Sequence, residues 1–511
     1  MVARREIRRR MHSNLVFSQP SGDSPLVFGY HVHPPVPGQQ INGQVPGSLP
    51  VAKLSSEDDD VYIVPLLLVV DGDAEQRNAV AAAIGRGSEK LEVVRSEPIG
   101  GTVEVLRLTR PGVDPHAPVD AAATQATLTT LQELLRPPDA AFPIAARVAP
   151  AYGFLTHQTT HPSDDPEQTD CVVVLPDGPE GENVKVVVID TGLWDDWEWM
   201  GPANPTGTGV LRTVAAHESD PLGGLDAAGA PTGFLGRAAG HGTFIAGVLR
   251  QLAPQAELIV LQAASVEGIV DEPKFFATLN AVVTNHPDVD VVVIASGGYA
   301  LPLAGTSLAA SGTPPKDKEW LAPILLRTGI QNVLTHTNAV IVMSAGNSGS
   351  SDPSFPAAFA GQAWRNGLTK AEDRLISVGA LDAEGFRADF SNYGDPRVGH
   401  AARQWVVASS PGVRLLSSYV HGLEDPGNDP DNPPSEWPVS DPPYASWTGT
   451  SFSAPAVAGR IAEQLGRLRR FHPETGPVQA WLGLQANGGQ ARADGCGVRI
   501  DASVTRARPI T

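Results

Sequence analysis

The sequence predicts an α/β protein in which a parallel sheet carries helices on both faces and follows a smaller α/β unit. The first observation is a series of Val- and Ile-rich runs that alternate with helical stretches from Val184 onward. Such runs, without polar alternation, are typical of parallel strands buried on both faces. The second is a β-α-β-β-α pattern upstream, and the third is a length of 511 residues, which suits two or three domains. The runs are Val184–Ile189, Leu258–Leu261, Val289–Ile294, Val340–Met343, Leu375–Val378 and Trp405–Val407.

The chain before the predicted sheet divides into an arm, a small domain and a linker. Residues 1–60 are rich in Pro, Gly, Gln and Ser without regular periodicity, which predicts a flexible, loosely packed arm. Residues 61–150 are expected to form the small domain, residues 151–183 a polar linker, residues 184–507 the main domain and residues 508–511 a tail. The expected elements of the small domain are strand Val61–Val70, helix Ala74–Ile84 opened by a capping box of Asp73 and Gln76, strands Leu91–Val94 and Thr102–Leu108, and a helix after Pro118.

Composition excludes several classes of partner. The formal net charge is −19, and an acidic surface repels phosphate backbones and anionic lipid, so nucleic-acid and membrane partners are disfavoured. The longest apolar run, Val61–Val70, is shorter than the ~20 residues that span a bilayer, and no signal-peptide core follows the Arg-rich start, so a cytoplasmic location is expected. The two cysteines, Cys171 and Cys496, are too few for a disulfide framework. They could be two free thiols or form one disulfide bridge with each other. No carboxylate cluster fits a calcium site, so no metal and no cofactor are expected.

Two segments place an acid and an imidazole where a strand or a helix meets a loop. Asp190 follows the run Val186–Ile189, and a carboxylate at the end of a buried strand is held rigidly enough to orient an imidazole. His241 lies between Gly240 and Gly242, which let the backbone bend beside the ring. Each residue alone also fits a structural role, since Asp caps turns and a lone His is often structural. A second His at the spacing of a zinc site is absent from the sequence around His241.

A third segment places a hydroxyl at the start of a predicted helix. Ser451 follows Gly449-Thr450 and precedes a run of small residues that contains Pro455, expected in the first turn. Exposed N–H groups and the helix dipole favour negative charge there, which suits a nucleophile whose attack creates an oxyanion. A plain helix cap is the alternative for this segment taken alone.

Together the three segments resemble the subtilase family of serine peptidases, in which the triad also runs in the order Asp, His, Ser. The resemblance covers roughly Val184 to Ala507 and includes Gly495–Ala502, which is similar to the closing segment of many subtilase catalytic domains. It implies a subtilisin-like catalytic domain and a serine endopeptidase that acts through an acyl-enzyme on a protein or peptide substrate. Asp190, His241 and Ser451 would be the triad.

Further segments extend the resemblance to the oxyanion site and the substrate pocket. Asn347 follows the run Val340–Met343 and matches the family's asparagine that donates to the oxyanion. The resemblance implies that one edge of the substrate site is formed by Ser296, Gly297 and Gly298, and the facing wall by Ala345 and Gly346. An extended peptide would bind there as an added strand.

The family resemblance leaves the role of the N-terminal unit and the fate of the acyl-enzyme open. The unit is similar in element order to a subtilase prodomain, which implies packing on the catalytic domain and a zymogen that cuts itself between about Asp139 and Asn183. A sensor or docking domain is the alternative. The acyl-enzyme could also be passed to an amine, as in peptide macrocyclases of the same fold, and an inactive subtilase-like scaffold is the non-enzyme alternative.

Overall fold

In a computed structural model, the main domain is built on an eight-stranded sheet. The residues described are 31–32, 49, 51–55, 60–112, 120–135, 147–156, 166–168, 173, 178–195, 214–220, 222–225, 231–236, 238–265, 267–301, 320–365, 367–394, 404–420, 444–488 and 494–505. Every neighbouring pair in this sheet is parallel, which confirms the predicted fold class. In spatial order the strands are β22 (Val498–Arg499), β19 (Ala408–Pro411), β18 (Leu375–Leu381), β16 (Val340–Ser344), β14 (Val291–Ile294), β8 (Lys185–Asp190), β12 (Glu257–Gln262) and β9 (Val214–His217).

Successive residues of the central strands face different helices, because side chains alternate across a strand. In β8, Val186 and Val188 belong to the core on one face, whereas Val187 and Ile189 belong to the core on the other. Helices α3 (His241–Leu252) and α7 (Thr450–Arg469) cover the first face, and α4 (Glu272–Asn285) and α5 (Ile324–His336) cover the second. The remaining helices of the described main domain are α6 (Gln362–Arg365), α8 (Pro477–Asn487) and the 3₁₀ turn Ala357–Ala360.

The last predicted strand of the main domain is displaced along the chain. The run Trp405–Val407 precedes the observed strand β19 instead of forming it. Trp405 is 1% exposed and its Nε1 donates to the Ser351 carbonyl, 3.3 Å away. The run is therefore apolar because the Trp405 side chain is buried. Large buried side chains occur in buried loops as well as in strands.

Short strands complete the main domain around the central sheet. These strands are β7 (Glu167–Gln168), β10 (Gly223–Leu225), β11 (Pro231–Leu235), β13 (Ile269–Asp271), β15 (Gly298–Tyr299), β17 (Ser354–Phe355), β20 (Leu415–Ser418) and β21 (Tyr444–Trp447).

None of the helices among the described residues is long and apolar enough to cross a bilayer.

The N-terminal unit is an antiparallel sheet with two helices. The expected capping box is present, with Gln76 N donating to Asp73 Oδ1 at 2.9 Å and Asp73 N to Gln76 Oε1 at 2.8 Å. Its elements are β1 (His31–Val32), β2 (Ala52–Ser55), β3 (Asp60–Asp71), α1 (Ala74–Arg86), β4 (Glu92–Gly100), β5 (Val103–Thr109), α2 (Ala121–Leu135) and β6 (Arg147–Leu155).

Two strands of this unit lie outside the boundaries expected from sequence. Strand β2 falls within the predicted flexible arm, yet Ala52 and Leu54 are fully buried. Strand β6 runs past residue 150 into the predicted linker and pairs with β3 on one side and with β13 of the main domain on the other. Its sequence, with Pro150 and Gly153, lacks the pattern of a typical strand, so its pairing depends on tertiary contacts.

One apolar core joins the N-terminal unit to the helices α4 and α5 of the main domain. Phe154 on β6 is 1% exposed, and its ring meets the Phe275 ring of α4 edge to face with centroids 5.8 Å apart. Such an aromatic pair adds stabilisation beyond the area that it buries. Side chains of the N-terminal unit and of α4 therefore belong to the same apolar core.

We expect Phe154→Ala to lower the free energy of unfolding by ~3–5 kcal/mol, because it leaves a cavity in this shared core. The midpoint of urea unfolding, followed by tryptophan fluorescence, measures the loss. Phe386→Ala is the matched control, since Phe386 is 66% exposed, and it should change stability by less than about 0.5 kcal/mol. Equal effects of the two variants would contradict the described packing.

Candidate active site

The candidate residues lie at the carboxyl edge of the parallel sheet, where ligands bind in open α/β folds. Asp190 is the last residue of β8, and Asn347 follows β16 by three residues. Two helices begin at the same edge. His241 is the first residue of α3 and Ser451 is the second residue of α7.

Asp190 and His241 form a buried hydrogen-bonded pair. His241 Nδ1 lies 2.7 Å from Asp190 Oδ1, and the exposed fractions are 0% for the His and 1% for the Asp. In the neutral imidazole, a proton on Nδ1 makes this bond to the carboxylate and leaves a lone pair on Nε2. Thr191 N donates to the same carboxylate oxygen at 2.8 Å, which fixes the rotamer of the acid.

Two aromatic residues hold the imidazole ring in place. The Trp447 ring meets the His241 ring nearly at right angles, at 88°, with centroids 5.3 Å apart. The Phe452 ring is tilted against the same imidazole at 5.3 Å. Since Phe452 follows Ser451 directly, this contact brings the start of α7 to the histidine. The sequence did not single out either aromatic residue.

The Ser451 hydroxyl is engaged by two backbone carbonyls. Its Oγ lies 3.1 Å from the Thr156 oxygen and 3.1 Å from the Ala295 oxygen. His241 Nε2 is buried and has no hydrogen-bond partner within the described part of the chain. The single hydroxyl proton is thus directed to carbonyls, and no bond joins serine and histidine in this arrangement. Thr156 belongs to the segment that follows β6, so the N-terminal unit reaches the serine.

The helix that carries Ser451 differs in one respect from expectation. Pro455 lies inside α7, beyond its first turn, whereas the sequence placed it in that turn. Because proline has no N–H, the Ser451 carbonyl lacks its usual donor four residues along the helix. The start of α7 is held instead by contacts to the loop after β16.

Asn347 supplies that contact. Its Oδ1 accepts from Thr450 N at 2.9 Å and from Thr450 Oγ1 at 2.8 Å. Its Nδ2 lies on the side of Gly449, where a Cβ would come within 3.3 Å of that nitrogen. The amide is therefore oriented with its donor group facing the chain segment that enters Ser451.

Asn392 fixes the loop that carries Asn347 and was not singled out from sequence. Its Nδ2 donates to the Ala345 carbonyl at 3.0 Å, and its Oδ1 accepts from Ser348 N at 3.1 Å and from Ser350 N at 3.0 Å. The bonds that it makes are to a loop more than forty residues upstream, which its local sequence does not indicate.

The expected substrate edge is already paired with the chain itself. Leu155 N donates to the Gly297 carbonyl at 2.9 Å, and Gly297 N donates back to the Leu155 carbonyl at 2.9 Å. Next along the chain, Thr156 N donates to the Gly268 carbonyl at 2.8 Å. Ser296 is buried and Gly298 lies against Gly153 of β6. The end of β6 is therefore paired as an extended strand with Gly297, and the next residue, Thr156, contacts Ser451.

The other expected wall lies beside Asn347. Gly346 N donates to Thr450 Oγ1 at 3.0 Å, and Ala345 is fully buried at the end of β16. These contacts connect the wall to the start of α7, and their role in substrate binding remains a prediction. Among the described residues, no group of three or more His, Cys, Asp or Glu side chains could hold a metal ion.

Comparison with known proteins agrees with the motifs. The model of the subtilase family matches residues 181–498, more than half of the chain. The chain is 28% identical to subtilisin DY of Bacillus licheniformis over 56% of its own length and 77% of that protein. It is 28% identical to subtilisin BL of Lederbergia lenta over 44% of its length, and this match spans 62% of subtilisin BL, less than two thirds.

Among solved structures, that of a cold-adapted subtilisin-like serine proteinase is similar over 66% of this chain and 93% of that chain, at 16% identity and a TM-score of 0.39. The family match confirms the resemblance drawn from the motifs. The predicted enzyme class, a serine endopeptidase, is supported by the family match and by the subtilisin relatives.

We expect Gly242→Ala to disrupt the Asp190–His241 pair, because a Cβ at Gly242 would lie 2.2 Å from the Gly192 carbonyl oxygen. Backbone on both sides would have to move, at a cost of ~1–3 kcal/mol of stability. The urea midpoint measures this loss, and the downfield NMR signal of the Nδ1 proton reports the pair. Gly85→Ala in α1 is the control, since nothing lies within 4 Å of its added Cβ; a normal Nδ1 signal in Gly242→Ala would contradict the described geometry.

Proposed function

Because the chain belongs to the subtilase family, we propose that it is a serine endopeptidase with Asp190, His241 and Ser451 as its catalytic triad. The observation that carries the proposal is the buried 2.7 Å pair of Asp190 and His241, in contact with Phe452 of α7, the helix that carries Ser451. The reaction is peptide-bond hydrolysis through an acyl-enzyme.

His241 is the general base and then the general acid. Its Nε2 removes the Ser451 proton as the hydroxyl attacks the carbonyl carbon, and it then protonates the leaving amine. Asp190 keeps the proton on Nδ1, so that Nε2 is basic, and stabilises the imidazolium that forms. A water then attacks the acyl group, and His241 acts as base once more. The buried position of both side chains strengthens their interaction, since no water screens it.

Asn347 and the Ser451 backbone N–H are proposed to bind the oxyanion. The two hydrogen bonds that Oδ1 accepts from Thr450 keep the amide in one orientation. A preset neutral donor stabilises charge as it develops, and the loss of one such donor typically costs ~3–4 kcal/mol of transition-state stabilisation. Asn392, which holds the loop, would act on this donor indirectly.

Substrate is proposed to bind as an extended strand along Gly297. The pairing of Leu155 with Gly297 is the template for this binding, since the N–H and the carbonyl of Gly297 both form hydrogen bonds with the main chain of Leu155. Backbone pairing of this kind gives affinity without regard to side chains, and neighbouring pockets add preference. The walls at Ser296–Gly298 and at Ala345–Gly346 are the proposed edges of these pockets.

The N-terminal unit is proposed to be an inhibitory prodomain that the enzyme removes itself. Thr156, the residue after β6, accepts a hydrogen bond from the Ser451 hydroxyl through its carbonyl. The next short strand, β7, pairs with β21, which carries Trp447 beside His241. The described chain therefore lies on both sides of the triad. We place the cut between Thr156 and Glu167, within the wider span expected from sequence.

We expect Ser451→Ala to leave the purified chain intact, whereas the wild type yields two fragments with a new terminus between residues 156 and 167. The hydroxyl is the nucleophile that attacks the peptide bond in the proposed reaction, so its removal abolishes turnover without a change of fold. Intact-protein mass spectrometry measures the fragments, and a fluorophosphonate probe labels the active serine.

Ser88→Ala, in the turn after α1, is the control and should be processed and labelled as wild type is. Processing that persists in Ser451→Ala would refute the triad. Products joined to an added amine, in place of hydrolysed products, would favour the macrocyclase alternative. An intact but probe-reactive wild type would instead make the N-terminal unit a permanent domain.

Two buried acids of the main domain hold the N-terminal unit, and they predict a pH-dependent release. Glu272 is fully buried and accepts from Tyr152 N of β6 at 2.9 Å and from Leu326 N at 2.8 Å. Burial raises its pKa to about 7, and burial raises the pKa of the neighbouring Asp271 to about 6. Asp271 Oδ2 also accepts from Leu49 N, 3.2 Å away.

We expect the cleaved N-terminal fragment to stay bound at pH 5.5 and to dissociate more readily at pH 8.5. Release exposes Glu272 to water, so its pKa falls toward 4.5 and the bound state takes up a proton. Affinity is therefore greatest at low pH and is lost as pH rises through about 7. Size-exclusion chromatography of processed protein measures the bound fraction.

Glu272→Gln should weaken this pH dependence between pH 4.5 and about 7, the two pKa values of Glu272, because the amide does not titrate. Glu257→Gln is the control, since the Glu257 side chain is 45% exposed and Glu257 is the first residue of β12, at the opposite end of the strand from the active-site edge. Binding that strengthens with rising pH, or that depends on pH as strongly in Glu272→Gln as in wild type, would contradict the role assigned to this acid.

A further inference from the structure

A third carboxylate, Asp220, lies behind the Asp190–His241 pair and has no part in the reaction described above. It is 5% exposed and follows strand β9. Backbone hydrogen bonds lay its segment along the loop after Asp190, with Leu193 N donating to the Glu218 carbonyl at 2.9 Å and Asp220 N to the Leu193 carbonyl at 2.8 Å.

One oxygen of Asp220 bonds to the neighbours of both members of the pair. Oδ2 accepts from Thr191 Oγ1 at 2.7 Å and from Gly240 N at 2.9 Å. Thr191 follows Asp190, and Gly240 precedes His241. Gly240 has a φ of 73°, a backbone conformation that glycine tolerates, and this turn directs its N–H to the acid.

Thr191 closes the arrangement. Its backbone N donates to Asp190 Oδ1 at 2.8 Å, and its Oγ1, while donating to Asp220, accepts from Gly242 N at 3.1 Å. The strand that carries the acid and the turn that carries the imidazole are therefore joined through Asp220 and Thr191. The remaining Asp220 oxygen, Oδ1, accepts from Leu222 N at 3.2 Å.

We infer that Asp220 is a positioning residue for the triad, which joins the Thr191 side and the Gly240 side of the pair through one carboxylate oxygen. This inference deepens the proposed function and rests on it for its kinetic consequences. A buried acid that served only its own segment would need no bond to either neighbour of the pair. The charge of Asp220 matters as well as the hydrogen bonds that it accepts, since its ionised carboxylate adds negative charge on the side of the Asp190–His241 pair.

The surroundings of Asp220 set the pH range in which it is charged. Burial, with a smaller contribution from the charge of Asp190, raises its pKa to about 7 against the opposing effect of its three hydrogen bonds, so the carboxylate is ionised above about pH 7. On its own segment, Ser219 Oγ donates to Asp195 at 2.6 Å, His217 Nε2 lies 4.0 Å from the same carboxylate, and Glu218 accepts from Gln262 N. The contacts named here are made with Asp195 and Gln262, so they do not join Asp190 or His241.

NMR in the Ser451→Ala background tests the inference without use of activity. The downfield Nδ1 proton of His241 is followed across pH, alone and with Asp220→Asn or Asp220→Ala. Removal of a nearby negative charge lowers the pKa of an imidazolium, so Asp220→Asn should shift the His241 titration to lower pH by about half a unit or more. Asp220→Ala should also weaken or abolish the signal, because both bonds are lost.

Kinetics of the processed enzyme on a peptide substrate supply the second test. Asp220→Ala should lower kcat by about a hundredfold with KM within about threefold, as expected for a misplaced catalytic group. Asp220→Asn keeps an accepting oxygen and should recover most of kcat, with the acid limb of kcat/KM moved to lower pH. Asp195→Asn is the matched control and should behave as wild type.

The inference is overturned if Asp220→Asn leaves the His241 titration where it is, or if Asp195→Asn shifts it equally. It is also overturned if Asp220→Ala folds and retains kcat within about threefold of wild type. Should Asp220→Ala fail to fold, the titration of Asp220→Asn alone decides. A wild type without peptidase activity would instead refute the proposed function, and the NMR result would still judge the inference.

Discussion

A hydrogen bond closed off from water, between Asp190 and His241, is the constraint that orders the rest of the site. A buried carboxylate is stable only if it is paired and hydrogen-bonded. The partner must therefore arrive with its nitrogen at one place, and the protein achieves this by starting α3 at His241 and ending β8 at Asp190. The aromatic rings pack around the imidazole, and within the described part of the chain its Nε2 and the second carboxylate oxygen of Asp190, Oδ2, are buried without a hydrogen-bond partner.

Local signals were enough to predict the residues at the sheet edge. Asp190, His241 and Asn347 each follow a Val-rich run or lie between glycines, and the alternation of Val186 and Val187 between two cores explains why that run is apolar throughout. A strand buried on both faces leaves few polar positions, so the first polar residue after it stands out. Fold class and the order of the reactive residues could therefore be read from the sequence.

Contacts between distant segments could not be read in this way. Thr156 meets Ser451 across 295 positions, and Asp220 lies 29 positions from Thr191 in a stretch without periodicity. Strand β6 has Pro150 and Gly153 in its interior and is held by pairing with β3 and β13. Its local sequence therefore does not indicate a strand. Trp405 shows the converse, an apolar run whose burial comes from a loop.

Under the proposed function, the groove itself cannot distinguish the N-terminal unit from a substrate. Both main-chain bonds between Leu155 and Gly297 would form with any extended peptide, since backbone groups are the same in every residue except proline. What holds the unit must therefore lie outside the groove, in the shared core at Phe154 and in the acid Glu272 that accepts from β6. A peptide lacking these contacts pairs with the same edge and leaves after cleavage, whereas the unit stays until its own contacts weaken. While the unit is bound, the Ser451 hydroxyl is directed to the carbonyls of Thr156 and Ala295, so departure of the segment that carries Thr156 removes one of the two acceptors that compete with His241.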